Sequence, residues 1–250
     1  MATGEQMKIV LFVFVSFLLL RPLHAEPLSE EAIRNAKRIV IMPGTFDPVT
    51  SGHIGLAQLP IQLGLADMTI LTIGENPTKN PAPRVRRLAF LEKAAKNIKS
   101  VFYPEEGTEL YNTFRDKSFF GIVKKIREIN PNAQILCLAG NDVAAKLWSS
   151  TLFQISIRPS EWLIALRKGY EAESLSLLFK VMSHEIISPD LPKISSSMVK
   201  NVLADHPEYY ANPEENRSAI PGIAPEVLED ILRTGTYRPD MVSVCRDLFL

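Results

Sequence analysis

The sequence predicts an α/β fold, built as a doubly wound parallel sheet with helices on both faces. Short apolar runs of strand length alternate with longer segments of helical period along most of the chain. Loops rich in Pro, Gly and Asp separate these segments. The chain has 250 residues, 46% of them hydrophobic, which is enough for one domain with a sizeable core. In such sheets, ligands bind beyond the carboxyl ends of the strands, where the strand order switches.

The individual elements are predicted from the apolar period and from residues that start or stop helices. Strand-length runs rich in aliphatic residues lie at 37–41, 68–73, 101–103, 134–139, 162–166 and 185–187. A first helix is expected through Ile61, with Pro60 interrupting or kinking it. Further helices are expected at 84–97, 119–129, 175–182, 198–204 and 225–232. In the segment 84–97, the residues expected to face the core are Val85, Leu88, Leu91 and Ala95. A polar connector is expected at 206–221.

The charge balance gives no reason to expect attraction to nucleic acid or to a membrane surface. Lys plus Arg and Asp plus Glu each number 28, so the formal net charge is zero. Local basic clusters must therefore bind any phosphate ligand. One such cluster, Arg84, Arg86 and Arg87, begins a predicted helix, where the helix dipole disfavours cations and a phosphate could offset that cost. A solvated basic face is the alternative.

The stretch 42–58 carries the strongest functional pattern, a strand followed by a tight loop and a helix start. Gly44 and Gly52 would let the backbone approach a ligand closely. Thr50 and His53 are three residues apart, so at a helix start they fall on one side. A hydroxyl and an imidazole at the positive end of a helix could hold a phosphoryl group while its charge redistributes. The alternative is an ordinary strand-to-helix turn with a capping Thr or Ser.

Two motifs in this order resemble the signatures of a known superfamily. Gly-Thr-Phe-Asp-Pro at 44–48, followed by Thr-x-Gly-His at 50–53, is similar to the first signature of the nucleotidyltransferases with the His/Thr-x-Gly-His motif, the cytidylyltransferase-like superfamily. Ile-Ser-Ser-Ser-x-Val-Lys at 194–200 is similar to the second. The resemblance covers about 37–237 and implies a Rossmann-like fold. It also implies nucleotidyl transfer from a nucleoside triphosphate, with Mg²⁺ accompanying ATP as cofactor.

The resemblance assigns roles to particular residues. It implies that His53, Thr50 and Lys79 act on the reacting phosphates. The residues that it implies for ATP binding are Gly44, Thr45, Phe46, His53, Ser195, Ser196, Ser197 and Lys200. Any one of the three serines could instead only cap the helix that follows, and a loop lysine such as Lys79 is usually just solvated.

The acceptor is suggested by two further similarities. The segment from Gly140 to Trp148 and the Thr-Gly-Thr-Tyr at 234–237 resemble nicotinate mononucleotide adenylyltransferases. Both signatures most resemble those of pantetheine-phosphate adenylyltransferases, although the Arg-Gly-Leu-Arg and Asp-Phe-Glu-Tyr-Glu segment of that family is absent and this chain is longer. The expected activity is AMP transfer to nicotinate or nicotinamide mononucleotide. Another nucleotidyltransferase activity, or an exported nucleotide-binding domain without catalysis, stays open. The residues that the resemblance implies for acceptor binding are Thr45, Lys79, Asp142, Trp148 and Arg167; Trp148 could equally be a packing residue, and Asp142 a helix cap.

The beginning of the chain is typical of a signal peptide. Lys8 precedes the uncharged apolar run 9–20, and Pro22 follows it closely. We expect cleavage after Ala25, a short linker at 26–36 and the main domain at 37–237, with a tail at 238–250. The protein would then be exported, without a stable membrane span, although ATP is scarce outside the cytoplasm. A buried helix or an uncleaved anchor is the alternative.

The remaining expectations concern redox state and partners. Cys137 lies in an apolar run and is expected to be a small core residue, while a bridge to Cys245 stays open. The expected partners are ATP and a small mononucleotide or phosphate acceptor, without nucleic acid. The sequence leaves oligomer formation open.

Overall fold

The computed structural model describes residues 28–74, 80–96, 98–103, 107–116, 119–140, 161–165, 184–187 and 194–238. Within these residues, all strands belong to one parallel sheet of six strands. The strands are β1 (Arg38–Gly44), β2 (Met68–Ile73), β3 (Val101–Phe102), β4 (Gln134–Gly140), β5 (Glu161–Ala165) and β6 (His184–Ile187). Their order across the sheet is β3-β2-β1-β4-β5-β6. The order changes direction between β1 and β4, as the prediction of a doubly wound sheet requires.

Helices flank the sheet within the described residues. They are α1 (Glu30–Asn35), α2 (Ser51–Gln62), α3 (Arg84–Ala95), α4 (Glu109–Asp116), α5 (Phe119–Ile129), α6 (Ser196–Asp205), α7 (Pro213–Asn216) and α8 (Pro225–Thr234), with a 3₁₀ helix at Pro207–Ala211. The predicted helix at 175–182 lies outside the described residues.

The alternation of side chains along β1 divides the core into two layers. Val40 and Met42 point to one face, where they pack in a cluster that includes residues of α2, α3, α6 and α8. Ile39 and Ile41 point to the other face and pack in a cluster with α1, α4 and α5. Because both faces of the sheet are covered, the central residues of β1, β2 and β4 are buried, as is usual for parallel sheets. The predicted α/β fold, a doubly wound parallel sheet with helices on both faces, is therefore confirmed.

The segment before β1 is packed against the domain, although we predicted a linker there. Ser29 caps α1 by accepting a hydrogen bond from the Ala32 amide, 3.1 Å away. Ile33 is completely buried and Leu28 nearly so. The side-chain amide of Asn130, at the end of α5, donates to the carbonyls of Ile33, Arg34 and Ala36 at 2.8, 3.1 and 2.9 Å. Residues 28–36 are thus part of the folded unit, which extends before the predicted boundary at Lys37.

The helix α3 is present as predicted, but the side chains that it buries differ from the predicted set. Val85, expected to face the core, is 56% exposed. At 3.6 residues per turn, Val85 lies about 120° around the axis from the buried Leu91. Arg87 lies one turn before Leu91 and takes the inward position instead. It is 1% exposed, so it is neither a solvated cation nor a phosphate ligand.

Three smaller differences concern helices. Pro60 does not interrupt α2, which continues to Gln62. The helix α4 was not predicted, although Thr108 caps it through a 3.0 Å hydrogen bond from the Tyr111 amide. The connector at 206–221 contains the 3₁₀ helix and α7. Among the described residues, none of the helices has the length and apolar character that a membrane crossing would require.

Candidate active site

The two sequence motifs meet beyond the carboxyl end of β1. The loop after β1 carries the first motif, and α6 begins with the second. The Ser196 hydroxyl donates to the Pro48 carbonyl at 2.7 Å, across 148 positions of sequence. A second link joins the Lys200 ammonium to the Asp47 carboxylate at 2.8 Å. The loop after β1 and the Ser-rich start of α6 therefore converge at the carboxyl end of this strand, where the sequence predicts the ligand to bind.

Thr50 and His53 form a reciprocal pair at the start of α2. Thr50 is the N-cap residue and is 2% exposed. Its backbone amide donates to Nδ1 of His53 at 3.1 Å, and its hydroxyl lies 2.9 Å from the same nitrogen. Because a backbone amide can only donate, Nδ1 must accept, and the neutral ring then carries its proton on Nε2. The cap thus fixes both the orientation and the tautomer of the imidazole.

The Phe46 ring packs against the imidazole of His53. The two rings meet edge-on, with centroids 5.3 Å apart, and Phe46 is 1% exposed. A Cβ added to Gly44 would lie 2.6 Å from the Phe46 ring. Gly44 therefore makes room for this aromatic ring, and its small size serves packing inside the loop. Phe46 itself has a φ of 49°, which is uncommon for a residue with a side chain.

The serines at the beginning of α6 have different functions. Ser195 is the N-cap and accepts a 3.2 Å hydrogen bond from the Met198 amide. Ser196 donates to Pro48, as described above, so its hydroxyl joins the helix to the loop after β1. Ser197 is exposed in the first turn. The backbone amides of such a first turn lack acceptors within the helix and can bind an anion.

Asp47 connects four segments of the chain. One carboxylate oxygen accepts from the Ala82 amide at 3.0 Å and from the Tyr237 hydroxyl at 2.6 Å. The other oxygen pairs with Lys200. Asp47 is buried, whereas the side chain of Lys200 remains 29% exposed. The ammonium therefore reaches the surface of the site while one of its three donors is held by the carboxylate.

Arg87 and Gly222 also hold this loop and the start of α2, and neither role is evident from the sequence. The Arg87 guanidinium donates to the carbonyls of Thr45, Gly74 and Ala82 at 2.9, 3.2 and 2.8 Å. It thereby joins the ends of β1 and β2 to the start of α3. The Gly222 carbonyl accepts from the Ser51 amide at 2.8 Å, so this first-turn amide of α2 is already bonded.

Several predicted site residues cannot be placed. Lys79, Asp142, Trp148 and Arg167 lie outside the described residues, as do Cys245 and the apolar run 9–20. Cys137 is a free thiol in the described part of the chain, and burial raises its pKa well above the usual value. The prediction that it is a core residue is confirmed.

This arrangement suits a polyanionic ligand. The start of α6, an imidazole with its proton on Nε2 and a partly exposed ammonium are gathered around one loop. Helix starts bring positive potential and amide donors, and the two side chains add a neutral and a charged donor. Such a set can bind a chain of phosphates and stabilise charge that moves among their oxygens during phosphoryl or nucleotidyl transfer.

Comparison with known families supports this interpretation. A model described as cytidylyltransferase-like matches residues 41–202, more than half of the chain. A probable nicotinate-nucleotide adenylyltransferase from Chloroherpeton thalassium is 25% identical over 181 residues, which cover 70% of this chain and 89% of that protein. A phosphopantetheine adenylyltransferase from Natranaerobius thermophilus is 25% identical over 196 residues, covering 78% and 94%.

Solved structures show the same fold. The nicotinic acid mononucleotide adenylyltransferase of Plasmodium falciparum, complexed with NaAD, has a TM-score of 0.58 and 17% identity. The same protein complexed with APC has a TM-score of 0.57. Each match covers 80% of this chain and 97% of the other.

Proposed function

The chain belongs to the cytidylyltransferase-like family of nucleotidyltransferases, and we propose that it transfers AMP from ATP to nicotinate or nicotinamide mononucleotide. The observation that carries this proposal is that the two sequence motifs meet beyond the carboxyl end of β1. Thr50 donates to His53 at 3.1 Å where the loop after β1 enters α2. Ser196 and Lys200 donate to Pro48 and Asp47 of the same loop at 2.7 and 2.8 Å. Folding alone does not require an imidazole, an ammonium and a helix start to lie together at this position.

In the proposed reaction, an oxygen of the acceptor phosphate attacks the α-phosphorus of ATP. The bond from that phosphorus to the bridging oxygen breaks, and pyrophosphate leaves with the electron pair. His53 would donate from Nε2 to the reacting phosphate, because Nδ1 is occupied by Thr50. Lys200 and the start of α6 would bind the departing phosphates. No covalent enzyme intermediate is needed, since positioning and charge stabilisation suffice for this chemistry.

Mg²⁺ would enter with the triphosphate rather than through a protein site. Asp47 is the carboxylate of the loop after β1, and both its oxygens already accept hydrogen bonds. The described residues contain no group of three or more His, Cys, Asp or Glu that could hold a metal. Phosphate oxygens and water are ordinary Mg²⁺ ligands, so this donor set is compatible with a metal carried by ATP. The ion would neutralise part of the triphosphate charge.

The acceptor decides between the two candidate activities. Phosphopantetheine is the second candidate, because a phosphopantetheine adenylyltransferase matches this chain at the same identity as the nicotinate-nucleotide enzyme. We expect the purified protein to release pyrophosphate from ATP fastest with nicotinate or nicotinamide mononucleotide. Faster release with phosphopantetheine would reverse the choice of acceptor. ATP binding without pyrophosphate release under any of the three acceptors would contradict the transferase proposal and favour a binding domain.

A further inference from the structure

We propose that Tyr237 is a positioning residue for ATP binding, which it controls through Asp47 and Lys200. The inference rests on the proposed function, because it assigns to Lys200 a contact with the triphosphate. Tyr237 lies outside both sequence signatures and 37 positions after Lys200. The chain of contacts runs from the Tyr237 hydroxyl to Asp47 at 2.6 Å and from Asp47 to Lys200 at 2.8 Å.

The end of α8 determines where Tyr237 lies. Gly235 follows the helix with a left-handed φ of 67°, and the Thr236 amide turns back to the Ile231 carbonyl at 3.1 Å. Tyr237 itself has a φ of 71°, which is rare for a residue with a large side chain. This turn brings the ring within 6.4 Å of the Phe90 ring, between centroids. The aromatic body of Tyr237 is thus fixed by packing, and its hydroxyl points at Asp47.

Tyr237 acts on Lys200 in two ways. Its hydroxyl holds one oxygen of Asp47, which leaves the other oxygen facing the ammonium. Its ring also lies beneath the ammonium, with Nζ 5.7 Å from the ring centroid, within the range of a cation–π contact. Burial and the Asp47 charge raise the pKa of Tyr237, so the hydroxyl keeps its proton and remains a donor. The position of the ammonium therefore depends on both parts of the side chain.

Asp47 and Tyr237 reduce the conformational entropy that Lys200 would lose on binding a phosphate. A lysine side chain has several rotatable bonds, so an unguided ammonium would lose much conformational entropy on binding a phosphate. Asp47 and Tyr237 hold Lys200 in one place before ATP arrives. Because an ammonium has three donors and Asp47 uses one, donors remain for the triphosphate. Removing the hydroxyl of Tyr237 should loosen Asp47 and weaken ATP binding without touching the acceptor.

The test is a double-mutant cycle between Tyr237→Phe and Lys200→Ala, with the Kd of ATP in the presence of Mg²⁺ measured by calorimetry. Phenylalanine keeps the ring beneath the Lys200 ammonium and removes the hydrogen bond to Asp47. We expect Tyr237→Phe to raise the Kd and the KM for ATP about fivefold, the effect of one ordinary hydrogen bond, with kcat and the acceptor KM almost unchanged. In the Lys200→Ala background, the same substitution should have no further effect.

Tyr210→Phe is the matched control. The Tyr210 hydroxyl donates to the Thr236 carbonyl at 3.1 Å in the same part of the chain, so this variant also removes one tyrosine hydroxyl. It should leave the Kd of ATP unchanged. Asp47→Asn is a second variant, which keeps an acceptor for Tyr237 but removes the charge facing Lys200, and it should also raise the Kd.

The possible outcomes distinguish a failure of the positioning role of Tyr237 from a failure of the proposed transferase function. An unchanged Kd for Tyr237→Phe, or an equal loss with and without Lys200, would overturn the positioning role while the transferase proposal stands. A wild-type protein that binds no ATP would overturn both. A loss of ATP affinity that is absent from the Lys200→Ala background and from Tyr210→Phe would support the inference.

Discussion

The backbone amide of Thr50 donates to Nδ1 of His53 at 3.1 Å, so the helix cap also fixes the imidazole. This relationship makes His53 a prepared donor rather than a flexible side chain. Prepared donors are effective in catalysis because they need no reorganisation when charge develops on the reacting group. The position of the histidine therefore follows from the local geometry of a helix start.

We predict that His53→Ala lowers kcat by at least about a hundredfold, the usual scale for one stabilising donor. The Kd of ATP should change much less, because binding also uses Lys200 and the start of α6. His206→Ala is the matched control, since His206 is exposed and its Nδ1 pairs with Glu208 at 2.8 Å. The measurement is pyrophosphate release under saturating substrates. Unchanged turnover of His53→Ala would exclude the proposed role.

We predict that Gly44→Ala destabilises the protein by about 1–3 kcal/mol, as overpacking of a filled core usually does. The new Cβ would lie 2.6 Å from the buried Phe46 ring, which would have to move toward His53. Activity should fall together with stability. The control is Gly74→Ala, where the nearest atom, the Gly44 carbonyl oxygen, is 3.9 Å away. Urea unfolding of both variants checks the prediction, and equal losses would contradict it.

We predict that Arg87→Met destabilises the protein by at least about 2 kcal/mol, because three carbonyls lose a charged donor. Arg87→Lys should recover only part of this loss, since an ammonium cannot reproduce the planar fork of the guanidinium. Arg86→Met is the control on the exposed side of the same helix. Unfolding midpoints in urea measure all three variants. Similar midpoints for Arg86→Met and Arg87→Met would show that the buried contacts do not stabilise the fold.

Contacts within this site are predictable from the sequence only where the interacting residues lie close together along the chain. Thr50 and His53 are three positions apart, so the pattern of a helix start was enough to pair them. Asp47 and Tyr237 are 190 positions apart, and nothing in either local pattern indicates a hydrogen bond between them. Arg87 shows the same limit. Three arginines lie in the first turn of α3, but only the structure shows that Arg87 is the one that donates to the Thr45 carbonyl.

The fold was predictable for a different reason. Parallel strands buried on both faces carry near-continuous apolar runs. The described strands β1 and β4 contain such runs, and so does β2 apart from Thr69 and Thr72. The helix α4 was missed because its apolar period spans only eight residues. Its signal was present all the same: Thr108 is a suitable cap, and Leu110 and Phe114 are spaced by one turn.

We predict that alkaline pH destabilises the protein partly through Tyr237. Burial, together with Asp47, raises the pKa of its hydroxyl in the folded state. The unfolded chain loses this proton near pH 10, about the ordinary tyrosine value, while the folded protein retains it. The folded state then binds more protons, so this contribution is full below about pH 10 and is lost as the pH rises further. The stability of Tyr237→Phe, measured by urea unfolding, should therefore fall less steeply above that pH. Parallel slopes would contradict the assignment.

The last prediction is export. Leu28 is 2% exposed, Ser29 caps α1, and Asn130 holds the end of that helix. Cleavage after Ala25 would leave these contacts intact, because all the residues that make them follow the cleavage point. We therefore predict a mature protein that starts near Glu26, retains the full unfolding midpoint of the uncleaved chain and lies outside the cytoplasm. N-terminal sequencing of protein from fractionated cells measures this. A chain that still carries the apolar run 9–20 in the cytosolic fraction would contradict export, and would place the enzyme where ATP is abundant.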